Sequence, residues 1–117
     1  MTESGSIPVV GATLIDTWLS DPWTNGLQIE DREDMEKLVI RTRNSLYEIT
    51  IIEGRRGEIL LRGGQLFTEL TPVRLIGATL GGGFCKVLGI YVGFRMEINA
   101  YDQRIVTTPV ESIGIVV

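Results

Sequence analysis

The chain has 117 residues, of which 44% are hydrophobic and 22% charged, with a formal net charge of -4, no histidine and one cysteine. That is room for one domain with its own core and none for a second, and the composition indicates neither global disorder nor a membrane class. Without histidine the usual general base of a Ser or Cys nucleophile and any His-based zinc site are missing, and Cys85 alone can form neither an intrachain disulfide nor a thiolate cluster.

The start, MTESGSIPVV, lacks the basic flank and long apolar region of a secretory signal, and no apolar run reaches the roughly 18 residues of a spanning helix. A cytoplasmic location, no membrane partner and no cofactor are the expectations. Charge is uneven: residues 1–36 carry eight acids against Arg32, whereas residues 37–117 carry ten bases against seven acids. An acidic leader can lie against the basic body of its own or a neighbouring subunit, or stay as a solvated segment, and the balance argues against nucleic acid as a partner.

Residues 1–36 read as an N-terminal acidic arm and residues 37–117 as a β-rich domain. Residues 1–8 are a loose terminus. From Val9 to Ile29 the arm carries Leu14, Ile15, Trp18, Leu19, Trp23 and Leu27, interrupted by the turn-forming run Asp21 to Gly26, which predicts irregular structure or short strands. Glu30 to Lys37 offers one turn of helix, with Glu33 and Lys37 four apart. Its acids lack the central glycine and closing glutamate of a calcium loop.

From Lys37 the period changes to two. Leu38, Ile40 and Thr42 fall on one side of a strand, and Tyr47, Ile49 and Ile51 alternate with Leu46, Glu48 and Thr50. A polar turn at Glu53 to Gly57 leads to Ile59 and Leu61, and Gly63 and Gly64 break the run. Leu66 to Leu70 lead through Thr71 and Pro72 into Val73 to Leu80. Gly81, Gly82 and Gly83 then form a hairpin turn rather than a phosphate loop, since no Lys followed by Ser or Thr closes it.

The clearest strand is Ile90 to Ile98, with Ile90, Val92, Phe94, Met96 and Ile98 on one face. Ala100 to Gln103 is a turn, Arg104 to Thr108 a strand, and Pro109 permits a bend or bulge before the apolar end Val110 to Val117. About seven short strands over such a length predict an all-β fold, a small antiparallel barrel or rolled sandwich.

Arg41, Arg43, Arg55, Arg56, Arg62 and Arg74 concentrate in the middle of the chain. Arg41, Arg43, Asn44, Ser45 and Tyr47, with Arg62, are candidates to line a pocket for a phosphorylated small molecule or nucleotide. The competing reading pairs these arginines with Glu48, Glu53, Glu58, Glu69 or the acidic leader. Trp18 and Trp23 on the arm and Ile115 and Val117 in the terminal strand are the candidate interface residues of a homo-oligomer. Carboxylate catalysis survives in principle, but no spacing singles out a pair, so a non-catalytic scaffold or interaction protein is the leading expectation.

The segments TRNSLYEI at 42–49, RGG at 62–64, LIGATLGG at 75–82, GIYVGFRMEI at 89–98 and IVTTPVESI at 105–113 together resemble a group of short bacterial proteins. Those share a TRNSxY segment, a GG, a GxxxGG segment and a closing TSxV, with Thr108 here in place of the usual serine. The resemblance covers residues 38–113 and implies a compact all-β body with an unrelated leader. It brings no activity and no site residue with it. Asn44 and Ser45 can serve there simply to turn the chain.

Overall fold

A computed structural model describes residues 25–80 and 84–116, so Trp18, Trp23, the glycine triplet 81–83 and Val117 lie outside the described residues. The fold is all-β. In chain order the strands are β1 (Gly26–Gln28), β2 (Lys37–Thr42), β3 (Leu46–Glu53), β4 (Glu58–Gly63), β5 (Phe67–Thr79), β6 (Cys85–Val87), β7 (Gly89–Tyr91), β8 (Arg95–Ala100) and β9 (Gln103–Val116). Two 3-10 turns, Ile29–Asp31 and Gly54–Arg56, complete the described elements. Among the described residues no helix is long and apolar enough to cross a membrane.

The main sheet runs β4-β3-β2-β9-β8-β5-β6, and a further β4–β5 pairing closes its first six strands into an antiparallel ring. The closure depends on two long strands that change partner along their length. β5 pairs with β4 from Phe67 to Arg74 and with β8 from Arg74 to Thr79, while β9 pairs with β8 from Gln103 to Pro109 and with β2 from Val110 to Val116. Extra residues sit near both changeovers: Ile76 on β5, and Thr107 with Thr108 opposite Met96 and then Glu111 on β9. Such bulges bend and twist a strand, which is how a sheet turns a corner. At the first β9 bulge the Met96 N–H donates to Thr107 Oγ1 at 3.0 Å, and that hydroxyl donates to the Thr108 carbonyl at 2.8 Å. The ladder bond that the bulge displaces is thus replaced by a buried side chain.

The alternation in β2, β3 and β4 predicts the inward residues correctly. Leu38, Ile40, Ile49, Ile51, Ile59 and Leu61 are all at most 1% exposed. One strand expectation needs correction. The stretch Ile90 to Ile98 is not one strand: β7 ends at Tyr91, Gly93 takes a φ of 89° and the Phe94 N–H bonds the Tyr91 carbonyl at 3.1 Å. Its period-two pattern reported burial rather than continuity, since the turn residues Val92 and Phe94 are buried too. Conversely, β5 runs unbroken through Pro72. The Leu75 N–H donates to the Gly57 carbonyl on the β4 side. By alternation Val73 and Thr71 face β4, and the missing N–H of Pro72 points away from it, where β8 has already turned back.

The described part of the expected arm is tied to the body. β1 pairs with β7 through Gly26–Tyr91, Leu27–Ile90 and Gln28–Gly89, and this ribbon lies at the end of the ring that carries the Gly54–Arg56 turn. Ile29 and Ile90 are fully buried among the inward residues of β2, β3 and β4. The Ile29 N–H donates to the Leu88 carbonyl at 3.0 Å, and a Cβ on Gly54 would come within 2.1 Å of the Ile29 carbonyl oxygen, so Gly54 admits the backbone of Ile29. The helical turn expected over Glu30 to Lys37 is reduced to the 3-10 turn at Ile29–Asp31. Arg32 is already extended, and Met35, at a φ of 69°, cannot continue a right-handed helix.

Candidate functional site

The residues proposed for an anion pocket are divided between two faces of the barrel wall. Arg41 lies between the inward Ile40 and Thr42 and is exposed on the outer face. Tyr47, cross-strand from Ile40, is partly buried against the core, with its hydroxyl beside Gly64. Arg62 stands on the outer face opposite Glu48 and forms an ion pair with it. Arg56 pairs with Glu53 at 3.5 Å, whereas Arg41 and Arg43 have no ion-pair partner among the described residues.

Arg43 and Asn44 belong to the β2–β3 connection and are anchored through their backbones. The Arg43 N–H donates to the Pro109 carbonyl at 3.0 Å and the Asn44 N–H to Thr108 Oγ1 at 3.3 Å. The Ser45 N–H donates to Thr42 Oγ1 at 3.2 Å, while the Thr42 N–H donates to the Ser45 carbonyl at 2.8 Å. Asn44 and Ser45 therefore shape a turn held against the TTP segment.

The outer face carries a second, more apolar constellation. Val116, Lys37, Thr50, Leu60 and Pro72 are successive cross-strand partners on β9, β2, β3, β4 and β5, and the last four each adjoin an inward core residue. Next to this row an open groove of about 780 Å³ is lined by Ile52, Leu60, Pro72, Arg74, Ile76 and Tyr101 among others. Thr50 is only 7% exposed although it stands on the outer side of the wall. Tyr101 is 77% exposed and forms the β8–β9 hairpin with Asp102; both have positive φ, 54° and 60°. Two-residue turns of that geometry favour Asn and Gly, so a tyrosine there is held against its preference.

The electrostatics of the outer surface are those of solvated pairs. Arg104 Nε bonds Glu97 at 3.0 Å, and the Arg32 guanidinium holds the Glu36 carboxyl below the usual carboxylate range by a side-chain hydrogen bond. Burial pushes the Cys85 thiol above its ordinary value, which keeps it protonated and slow to react at neutral pH.

One strand edge adjoins the apolar row. On the β8 side of β9, the Val110 N–H donates to the Phe94 carbonyl and the Val110 carbonyl accepts from the Gly93 N–H, both at 2.8 Å. From Glu111 to Val116 no strand among the described residues pairs with β9 on that side. Ile115 and Val116 there are 45% and 48% exposed.

Of the interface residues expected from sequence, Ile115 stands on this edge, while Val117, Trp18 and Trp23 lie outside the described residues. Sequence reasoning did not single out Val39, Leu60, Pro72, Gly114 or Tyr101. A usable signal exists in strands apolar at both parities, such as Ile59-Leu60-Leu61 and Ile51-Ile52, because one member of each such run must face outward. No family model, curated protein or solved structure matches the chain.

Proposed function

We propose that the protein is a non-catalytic β scaffold that works by self-assembly. The observation that carries this reading is the apolar strip of Leu60, Pro72, Ile52 and Ile76 on the outer surface, bordered by Glu58 and Arg74, on a barrel whose interior holds a buried hydrophobic cluster. A core buried in this way leaves the outer wall and the strand edges as the surfaces on which a partner gains most. Apolar patches rimmed by charged pairs, here Glu48–Arg62 and Glu53–Arg56, mark interaction sites on soluble domains.

A second copy of the chain is the partner that satisfies the reading with the fewest components, since most oligomers are symmetric associations of one chain. Light scattering coupled to gel filtration tests it. A mass that is a multiple of 13.0 kDa is expected for the full chain at micromolar concentration. A mass that stays at one chain length throughout the micromolar range overturns the proposal.

A further inference from the structure

We infer that two copies join edge to edge through β9, in the antiparallel register that places Gly114 opposite its own twin. This rests on the self-assembly reading and names the surface that performs it.

Backbone direction comes first. The Thr42 N–H is bonded to the Ser45 carbonyl, on the β3 side of β2, so by alternation Arg41, Val39 and Lys37 direct their backbone groups toward β9. Their partners on β9 are Ser112, Gly114 and Val116. The N–H and C=O groups of Ile113 and Ile115 therefore point out of the sheet, along an edge that no described strand covers. Unpaired edge groups on an apolar strand are a template for another strand.

The sequence around that edge suits a twofold axis. Ile113-Gly114-Ile115 reads the same in both directions. In an antiparallel self-pairing centred on Gly114, Ile113 of one copy exchanges both backbone hydrogen bonds with Ile115 of the other, and the reverse. Glu111 of each copy then falls beyond the last described residue of the other, so the two glutamates do not face each other across the seam. A shift of the axis toward Glu111 brings the two glutamates together and is disfavoured.

Gly114 supplies an independent observation. Its φ is not positive, and a Cβ built on it would meet only the Val39 carbonyl oxygen, at 3.8 Å, which is ordinary contact. Compare Gly63, with a φ of 141° and a Cβ that would lie 2.1 Å from the Leu46 carbonyl. The barrel requires a glycine at 63 and does not require one at 114. In the inferred register Gly114 forms a non-hydrogen-bonded pair with its twin, the position where facing strands approach closest, about 4.5 Å between Cα atoms. A glycine in a strand interior without an internal reason marks a place where another backbone comes close.

Other edges are less suited. The outward side of β5 before Arg74 contains Pro72, which has no N–H to give, and β6 is only three residues long. The β9 pairing also extends the apolar row, because Val39 and Val116 flank Gly114 on the outer face of both copies.

The test uses the full chain with Cys85→Ser, into which Gly114→Cys or Val116→Cys is introduced. Cα atoms at the twofold pair lie within disulfide range, so Gly114→Cys cross-links to a covalent dimer under mild oxidation, whereas Val116→Cys, whose partner is Ser112, does not. In parallel, Ile115→Pro and Ile115→Lys change an outward-facing edge position without removing a β2–β9 hydrogen bond. Both are expected to lose the dimer and keep a cooperative unfolding transition.

Equal cross-linking of the two cysteine variants, with multimers persisting in both Ile115 variants, overturns the edge and leaves self-assembly standing. A single-chain mass for the unmodified protein overturns both. A single-chain mass together with edge amides of Ile113 and Ile115 that exchange slowly until residues 1–24 are removed also overturns the inference, and assigns the edge to the leader.

Discussion

The ribbon of β1 and β7 and the end of β9 are both apolar margins of the same barrel, yet they differ in how far the chain accounts for its own residues. At the ribbon the residues around Ile29 have internal causes: Ile29 is fully buried, its N–H is bonded to Leu88, and Gly54 clears space for its carbonyl. At the end of β9 the backbone groups of Ile113 and Ile115 face outward, Ile115 is half exposed and Gly114 answers to no internal contact. A margin whose sequence is explained from within is closed by the fold. One whose sequence is not so explained is where we propose that a second copy pairs.

The sharpest break of this contrast is truncation on the ribbon. Ile29→Ala removes a fully buried side chain and is expected to cost about 2–5 kcal/mol in urea unfolding. The same change at Ile115 should cost under about 1 kcal/mol of single-chain stability, because its side chain is already partly solvated. Equal losses at the two sites would erase the distinction.

A middle-sized effect is expected on the half of β9 that the barrel does hold. Thr107→Val keeps the shape but strips the acceptor from the buried Met96 N–H, a loss of about 1–3 kcal/mol measured by denaturant midpoint. Thr108→Val, which removes only the exposed 3.3 Å bond from the Asn44 N–H, should cost less. The smallest effect belongs to the link between ribbon and barrel. Because the Arg32 guanidinium holds the Glu36 carboxyl below the usual carboxylate range in the folded state, the pair stabilises above that range and its contribution is lost as pH falls through it. Arg32→Met should therefore lower the melting temperature slightly near neutrality, leave it unchanged in strong acid where Glu36 is protonated in either protein, and so flatten the acid limb of the profile. A larger change in acid than at neutrality would reverse the sign.

The inward faces of β2, β3 and β4 were legible in the sequence because each strand has one face in the core and one in solvent, and the period of two survives translation into burial. It failed at Val92 to Phe94 because a turn covered on both sides looks like a strand when only hydrophobicity is read. The direction of the N–H that Pro72 lacks was not legible, because it depends on which strand lies alongside. Ring closure was hidden for the same reason, since nothing local to Lys37 announces Val116 as its neighbour. In the candidate site, Ile115 was accessible from the apolar run at the chain's end. The division of Arg41 and Tyr47 between two faces follows from the alternation itself, counted across the turn at Asn44 and Ser45.

The pairing of Lys37 with Val116 joins positions separated by roughly eighty residues of chain, and contacts so distant close late, because loop entropy must be overcome before they reward the fold. The meander from β2 to β5 has only neighbouring strands to find. Until β9 arrives, β2 offers a raw edge of its own, Lys37, Val39 and Arg41, to any strand that comes by. The lysine and arginine spaced along it keep that waiting edge charged, and so guard the unfinished barrel against joining the wrong chain.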